Sequence, residues 1–372
     1  MQGGLGVQIR IGISQEHKEK AAVAQALAES RSESRLPDLT ILFYAGDYDL
    51  RAVWEACSDI LNHSPFIGGQ VGAIFTMDRI FRQGVAALSV YGVKAQTRIT
   101  PVDITRAYRE GQELGASFVE DSVQEGAVLM LPHVHNYKLS ALIRGIYSNL
   151  GPSFQYFGAG TVSQFTEAGY TDEGVALALV EEAYFTQGVG HGWMPLGEPM
   201  LITRAERNRI YELDGQPAVQ RYCAVVREML DQEIDITGHK FQLGIPCGSG
   251  DYVVRDIIEV EDQALVCVTE IPPKSMVSLM TTSIPALPAV AKRITEETLD
   301  QHPEPKFAIM FDCVSRERLQ KDSFILETQN IYRVLGDLPA LGVLTFGEIS
   351  SSFGIPLYHN KALSVTIGGE GR

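Results

Sequence analysis

The chain has few cysteines and no pattern among them. Cys57, Cys223, Cys247, Cys267 and Cys313 are its five, and no two form a Cys-x-x-Cys pair. That scatter excludes a zinc knuckle and a redox dithiol, and it fits a reducing compartment in which cysteine serves mostly as a small buried hydrophobe. Long apolar runs are also missing. No stretch reaches the roughly 18 apolar residues of a membrane-crossing helix. Met1-Gln2-Gly3-Gly4-Leu5 has no basic region followed by an apolar one, so a secretory signal is not expected. These readings point to the cytoplasm and exclude membrane insertion. Positive charge is scarce too. The net charge is -15, and no basic aromatic stripe offsets it locally, which excludes nucleic acid as a partner.

Catalytic signatures are lacking as well. There is no G-x-S-x-G or G-x-C-x-G elbow. Gly248-Ser249-Gly250-Asp251 contains a serine, but that residue set reads as a turn before it reads as a nucleophile. Cys247 beside it has no base nearby in sequence, although triads assemble in space, so a cysteine- or serine-dependent enzyme stays as an alternative. The glycine clusters at Gly68-Gly69 and Gly158-Ala159-Gly160 fit neither the phosphate loop nor the dinucleotide fingerprint, which excludes ATP and dinucleotides. Glycine there lets chain segments approach closely, or lines a pocket with backbone amides.

Of 372 residues, 45% are hydrophobic and 21% charged. That is enough to bury more than one core, so two domains are expected. Val7, Ile9, Ile11 and Ile13 alternate as in a half-buried strand. Ser14 is placed to cap the helix that follows. Thr40 to Tyr44 is an apolar strand. Asp49 caps a helix whose buried face is Leu50, Val53, Trp54, Cys57, Ile60 and Leu61. Ile67-Gly68-Gly69 and a strand from Val85 to Val90 complete a unit. It recurs as a strand at 127–131, a helix lined by Leu139, Leu142, Ile143, Ile146 and Tyr147, then Gly158 and a strand at 175–180. Gly68 and Gly158 lie 90 residues apart, as do Gly84 and Gly174, which argues for internal duplication. A looser third copy runs from Phe307 to Ile367. The fold class that follows is mixed α/β, with layered sheets and helices built from repeated β-α-β-β units. The pattern changes between the second and third copies. Asp214-Gly215 turns into a helix over 216–231, and the border between two domains, 1–220 and 221–372, is expected there.

His133-x-His135 is the closest histidine pair. It could share one face of a strand, but no third metal ligand has useful spacing, so no metal site is assigned. His191-Gly192-Trp193 lies in a glycine-rich stretch. It reads either as one wall of a cavity or as a packed tryptophan beside a hydrogen-bonded histidine. Glu348, His359 and Asn360 stand next to apolar strands, pointing into a pocket or finishing a turn.

These residues also carry a family resemblance. Pro65-x-Ile67-Gly68-Gly69, Phe157-Gly158-Ala159-Gly160 and His191-Gly192-Trp193-x-Pro195-x-Gly197 come in that order. Ile202-Thr203-x-Ala205-Glu206-x-Asn208 and Leu213-Asp214-Gly215-x-Pro217-Ala218 follow. Cys313-Val314-Ser315-Arg316, Gly342-x-x-Thr345-Phe346-Gly347-Glu348-Ile349 and His359-Asn360 close the series. The chain resembles the FIST family of sensory proteins over nearly its whole length. One departure stands out: Gln70, Val71, Gly72 and Ala73 occupy the place of the family's hydroxyl residue, glycine and glutamate. The resemblance implies a non-enzymatic sensor of a small ligand, an amino acid or haem, acting through a separate signalling partner. In the haem-binding branch, which responds to nitric oxide, that partner is a sensor histidine kinase in a two-component system. A homodimer is open. The ligand-binding residues expected are His191, Trp193, Glu348, His359 and Asn360. His191, His359, His133 and His63 are the candidates for an axial haem ligand. A purely structural adaptor is the remaining alternative.

Overall fold

The computed structural model describes residues 6–119, 123, 125–230, 235–248, 250–352 and 354–371. Its strands form four sheets, and three of them repeat one connectivity. In each of these, the first strand of a unit pairs antiparallel with the last. The last pairs with the second, and the second pairs in parallel with the third. In the first unit these strands are Gln8–Ser14, Gly84–Tyr91, Leu39–Ala45 and Phe66–Gln70. In the second they are Lys94–Pro101, Gly174–Glu181, Gly126–Pro132 and Phe154–Ala159. In the third they are Tyr184–Gly190, Leu363–Glu370, Glu304–Cys313 and Ala340–Thr345.

A hairpin from a neighbouring unit completes each sheet. The hairpin Gln164–Thr166/Gly169–Thr171 of unit two extends the sheet of unit one. The hairpin Glu348–Ser352/Ile355–His359 of unit three extends unit two. The hairpin Ala73–Phe75/Ile80–Phe81 of unit one closes the ring by extending unit three. The exchange covers one edge of every sheet, an edge that would otherwise present unpaired backbone groups.

Central strands are buried on both faces. In Leu39–Ala45, residues Leu39, Ile41, Phe43 and Ala45 join a core shared by all three sheets. Leu42 and Tyr44 face the helices Glu19–Ser30 and Leu50–Leu61 instead. The equivalent outer faces of units two and three are covered by Ala107–Val119 with Leu139–Leu150, and by Leu287–Asp300 with Phe324–Leu335. Two-sided burial explains why these strands read as continuous apolar runs.

The fourth sheet is an insertion. It spans Trp193–Thr282 and separates the first strand of unit three from the rest of that unit. Helix Ala218–Leu230 packs on it through Tyr222, Val225 and Val226 over Met200, Ile202, Leu243 and Leu279. Three of the four sheets therefore draw strands from both sides of residue 220.

The expected mixed α/β class holds. Asp49 caps its helix, accepting from the Ala52 amide at 2.8 Å. Ser14 does not cap the first helix; Lys18 stands at its N-cap, and the Ser14 hydroxyl bonds Gln25 at 2.7 Å. Gly68 and Gly158 stand at equivalent positions, opposite Phe165 and Ile349, and Gly342 opposite Phe75 is the third of the set. No helix among the described residues is long and apolar enough to cross a membrane.

Candidate functional site

The sequence signatures converge on one place, the joint between unit three and the insertion. Strand Glu304–Cys313 ends there with Asp312 and Cys313, and helix Val314–Gln320 begins with Ser315 and Arg316. Strand Ala340–Thr345 contributes Thr345, and the hairpin that leaves it starts at Glu348. The returning hairpin strand ends at His359, and Asn360 and Lys361 form the turn into the last strand. His191 and Trp193 sit where the chain enters the insertion. His239, Tyr252, Arg255 and Asp256 come from within it.

Arg316 is the hub. Its guanidinium is fully buried and pairs with Asp312 at 3.1 Å and with Glu327, both of them also inaccessible to solvent. Its remaining donors reach the carbonyls of His191 at 2.5 Å and Lys361 at 3.3 Å. One planar cation thus ties two carboxylates to two chain segments, which only arginine can do. A second pair lies across the joint. Lys361, fully buried and in the left-handed backbone region (φ 59), meets Asp256 of the insertion at 2.9 Å and donates to His239 Nδ1 at 3.2 Å. A non-glycine residue held in that region costs on the order of 1 kcal/mol, and here the conformation places the amine opposite Asp256. Trp193 is packed and almost fully buried. Its indole N–H donates to Lys240 O at 2.9 Å, and the Lys361 amine lies 5.8 Å from its ring centroid.

The histidines are fixed in neutral form. His191 Nδ1 accepts from the Trp193 amide at 2.9 Å, which leaves Nε2 as the donor to Tyr252 O at 3.0 Å. Burial pushes the imidazole down to about 4. His359 is pushed further, to about 3, first by burial and then by the charge of Arg255. Its Nε2 and the Arg255 Nε are both buried without a hydrogen-bond partner among the described residues. Asn360 Oδ1 lies 3.5 Å from the Asp256 amide.

Glu348 accepts from Thr345 Oγ1 at 3.1 Å and from the Ala362 amide at 3.2 Å. Burial raises its carboxyl well above the usual range, and burial followed by the nearby Glu327 does the same for Asp312. Groups raised in the fold hold protons that the unfolded chain has released. Their stabilising contribution is present below the ordinary carboxylate range and is lost as pH rises through the folded value. The two depressed histidines act oppositely: their contribution is present above about pH 6.5 and is lost as pH falls towards 4. Glu348→Gln is therefore expected to improve relative to the parent as pH rises above the ordinary carboxylate range. Urea denaturation of both proteins at pH 5 and pH 7 checks this. An identical difference at both would mean that Glu348 is ionised in the fold.

Little here is poised as a nucleophile. Burial pushes the Cys313 thiol up to about 12, and its sulfur lies 3.0 Å from Ser315 Oγ. Reactive cysteines need the opposite environment. Ser249 lies outside the described residues. The Cys247 amide donates to Asp251 O at 2.9 Å and Gly250 N to Cys247 O at 3.1 Å.

Haem does not fit these histidines as they stand. His191 uses both ring nitrogens. His359 is enclosed among charged and polar groups, His133 packs against the His135 ring at 5.1 Å, and His63 is an exposed residue just beyond a helix end. No group of three or more potential metal ligands occurs among the described residues.

The repeat explains the departure in the first copy. The residues that precede the three glycine-facing positions are Ile74, Gln164 and Glu348. Gln164 bonds Thr161 locally, and Ile74 joins the shared core. Only the third copy carries an acid. Sequence reading found His191, Trp193, Glu348, His359 and Asn360, and the fold brings all five into one joint. It missed Asp256, Glu327 and Lys361 as site residues, because none belongs to a motif with a chemical signature of its own. Lys361, next to His359-Asn360 and followed by a buried strand, was the most legible of the three.

Comparison with known proteins matches residues 38–216 to the FIST N domain and residues 218–351 to the FIST C domain. The chain is 22% identical over 386 aligned residues to the uncharacterized protein Rv0628c of Mycobacterium tuberculosis, covering 97% of this chain and 99% of that one. It is 22% identical to the uncharacterized protein Mb0898c of Mycobacterium bovis, covering 97% and 98%. Protein MJ1623 of Methanocaldococcus jannaschii is 29% identical over 148 residues, 36% of this chain and 28% of that one. Among solved structures, a cyanuric acid hydrolase aligns over 99% of this chain and 100% of its own, with a TM-score of 0.39 and 7% identity. A likeness of that size says nothing about chemistry.

Proposed function

The chain carries a FIST N domain followed by a FIST C domain, and from that premise we propose that it is a non-enzymatic, intracellular sensor of a small ligand that signals through a separate protein. FIST domains are generally small-ligand sensors in signal transduction. The observation that carries the reading is the buried joint. The family's motif residues are spent on holding the insertion against unit three through Arg316, Lys361 and His191. They are not arrayed around an exposed nucleophile with a base. A joint built from buried ion pairs is a bistable element by nature: either all its partners are satisfied or the insertion is released. A ligand that bridges insertion and ring would shift that balance. The signalling partner is read as a separate protein, and a sensor histidine kinase is the class the resemblance implies.

One experiment separates sensor from enzyme. The purified chain is challenged with a defined panel of amino acids, organic acids, nucleotides, and haem with and without nitric oxide. Thermal stabilisation is read beside product formation by mass spectrometry. The sensor reading expects at least one compound to raise Tm without being converted, since a ligand of the native state stabilises by mass action. Conversion of the stabilising compound would make the protein an enzyme. A Soret band that shifts with nitric oxide would move the reading to gas sensing.

A further inference from the structure

Beside the joint lies a cavity of about 510 Å³ whose chemistry differs from that of the rest of the molecule. Three parts of the chain meet around it: the start of helix Leu139–Leu150 in unit two, the hairpin segment Pro356–Tyr358 of unit three, and Arg207, Arg255 and Glu270–Pro273 of the insertion. Its volume is that of a small-molecule site. Four cations border it, Lys138, Arg144, Arg207 and Arg255, against one carboxylate, Glu270. In a protein with a net charge of -15, that concentration of positive charge is local and specific.

Arg255 is the informative member. It is buried, only 7% exposed, yet it makes no ion pair among the described residues. Its bonds are to the carbonyls of Val254 at 3.3 Å and Tyr358 at 3.1 Å, and its Nε has no partner among the described residues. Arginine is almost never buried without an acid beside it, because taking the charge out of water is costly. Burial is the leading influence on this guanidinium and lowers its pKa; the Glu270 carboxylate, which makes no ion pair with it, acts the other way from across the cavity. Lys138, Arg144 and Arg207 make no ion pairs among the described residues either; Arg207 lies 5.8 Å from the Tyr137 ring centroid. The helix that opens on the cavity has Lys138 at its N-cap with no side-chain cap, so its positive end adds to the same field.

We propose that this cavity binds a small oxyanion-bearing molecule, with Arg255 at its floor and Arg144, Arg207 and Lys138 around it. Carboxylate and phosphate share the chemistry that would be recognised: a planar or tetrahedral set of oxygens met by the arginine fork. Because the lining comes from the insertion and from two units of the ring, the bound anion bridges them and holds the insertion in place. The assignment rests on the sensor reading only in naming that sensor's ligand class.

Isothermal titration of the full chain with succinate, and separately with inorganic phosphate, tests it. At least one of the two is expected to bind saturably in the millimolar range or tighter. Arg144→Ala combined with Arg207→Ala, at exposed positions that leave the folded core untouched, is expected to weaken that binding by about 10-fold or more, the effect of losing charge-assisted hydrogen bonds. Arg255→Lys keeps the charge but removes the fork, and is expected to weaken it further. Circular dichroism confirms that each variant is folded; should Arg255→Lys unfold, the surface pair decides alone. Absence of binding by both probes, equal stabilisation by sodium chloride at matched ionic strength, or unchanged affinity in the surface pair would each overturn the site. The preferred probe identifies the anion class. Turnover of the bound anion would remove the sensor reading and keep the site, whereas unchanged affinity in the surface pair would remove the site and leave the sensor.

Discussion

Gly342→Ala is expected to destabilise the fold by about 3 kcal/mol, and combining it with Phe75→Ala is expected to cost no more than Phe75→Ala alone. A methyl group on Gly342 would lie 2.3 Å from the Phe75 ring, with side-chain atoms as its three nearest neighbours. Phe75 is the fully buried knob by which the hairpin of unit one enters unit three. It packs edge-on against Phe324 at 6.1 Å and Tyr332 at 6.4 Å, and the Tyr332 hydroxyl donates to its carbonyl at 3.1 Å. The ring therefore has nowhere to move. Phe75→Ala alone is expected to cost about 3–5 kcal/mol as a core truncation, and it removes the atoms that obstruct the methyl. Gly68 is the control. Its added methyl would meet the Phe165 ring at 2.3 Å but also the Leu42 carbonyl at 2.1 Å, so Phe165→Ala is not expected to relieve Gly68→Ala. Urea denaturation of the four single and two double variants reads the contrast. Simple addition of the Gly342 and Phe75 penalties would rule out the steric account.

That contrast also marks where the sequence was legible. Gly68, Gly158, Gly84 and Gly174 disclosed a repeat because each unit needs a slot at the same place, and an obligatory glycine survives when the apolar residues around it drift. The third copy was harder to read because Gly342 is followed by Val343 where the first copy has Gly69, and because the insertion separates its first strand from the rest. What no pattern revealed is the exchange of hairpins. Ala73–Phe75 is apolar whichever sheet it joins, so its pairing with Leu344, Val343 and Gly342 is decided by tertiary packing, and local periodicity carries no trace of it. The insertion was obscured for a related reason. Trp193–Glu206 is a 14-residue strand with a largely exposed or half-buried pattern, rich in glycine and proline near its start, which reads as loop. The segment 94–119, a strand and a helix of the second unit, gave no sequence reading at all: the strand Lys94–Pro101 is mostly polar and half-buried, and the helix is interrupted by Gly111 and Gly115.

The site was legible to the extent that its residues have unusual chemistry. A histidine beside a tryptophan among glycines, or a glutamate just after a Thr-Phe-Gly turn, attracts attention in any sequence. Their shared role did not show, because it depends on Arg255, the last residue of an ordinary strand of the insertion, on Asp256 next to it, and on Glu327, which reads as one more helix-surface acid. In the fold Glu327 is fully buried and Arg255 nearly so, and it is burial, not residue type, that gives them their importance.

Arg316→Met tests that importance most directly, and it is expected to destabilise the protein by about 3–5 kcal/mol, the cost of leaving buried charges unpaired. The substitution keeps most of the side chain's volume, so packing changes little. What it removes is the cation that pairs with Asp312 and Glu327, together with the donors to the His191 and Lys361 carbonyls. Without it the carboxyls can stay buried only by taking up protons. The already raised pKa values of Asp312 and Glu348 rise further, and the stability that depends on those protons is lost as pH increases. The deficit relative to the parent is therefore expected to be smaller at pH 5 than at pH 8, a pH dependence that a simple packing defect would not produce. Arg316→Lys restores the charge but cannot span two carboxylates and two carbonyls with one planar group, so only part of the loss is expected to return. Converting the whole set to apolar residues, Asp312→Leu, Arg316→Met and Glu327→Leu together, removes the unpaired charges and is expected to recover stability beyond the single variant. Thermal unfolding at the two pH values, with the insertion followed by hydrogen exchange, gives the reading. If the deficit is the same at pH 5 and pH 8, Arg316 acts as packing and not as the charge that holds the joint closed.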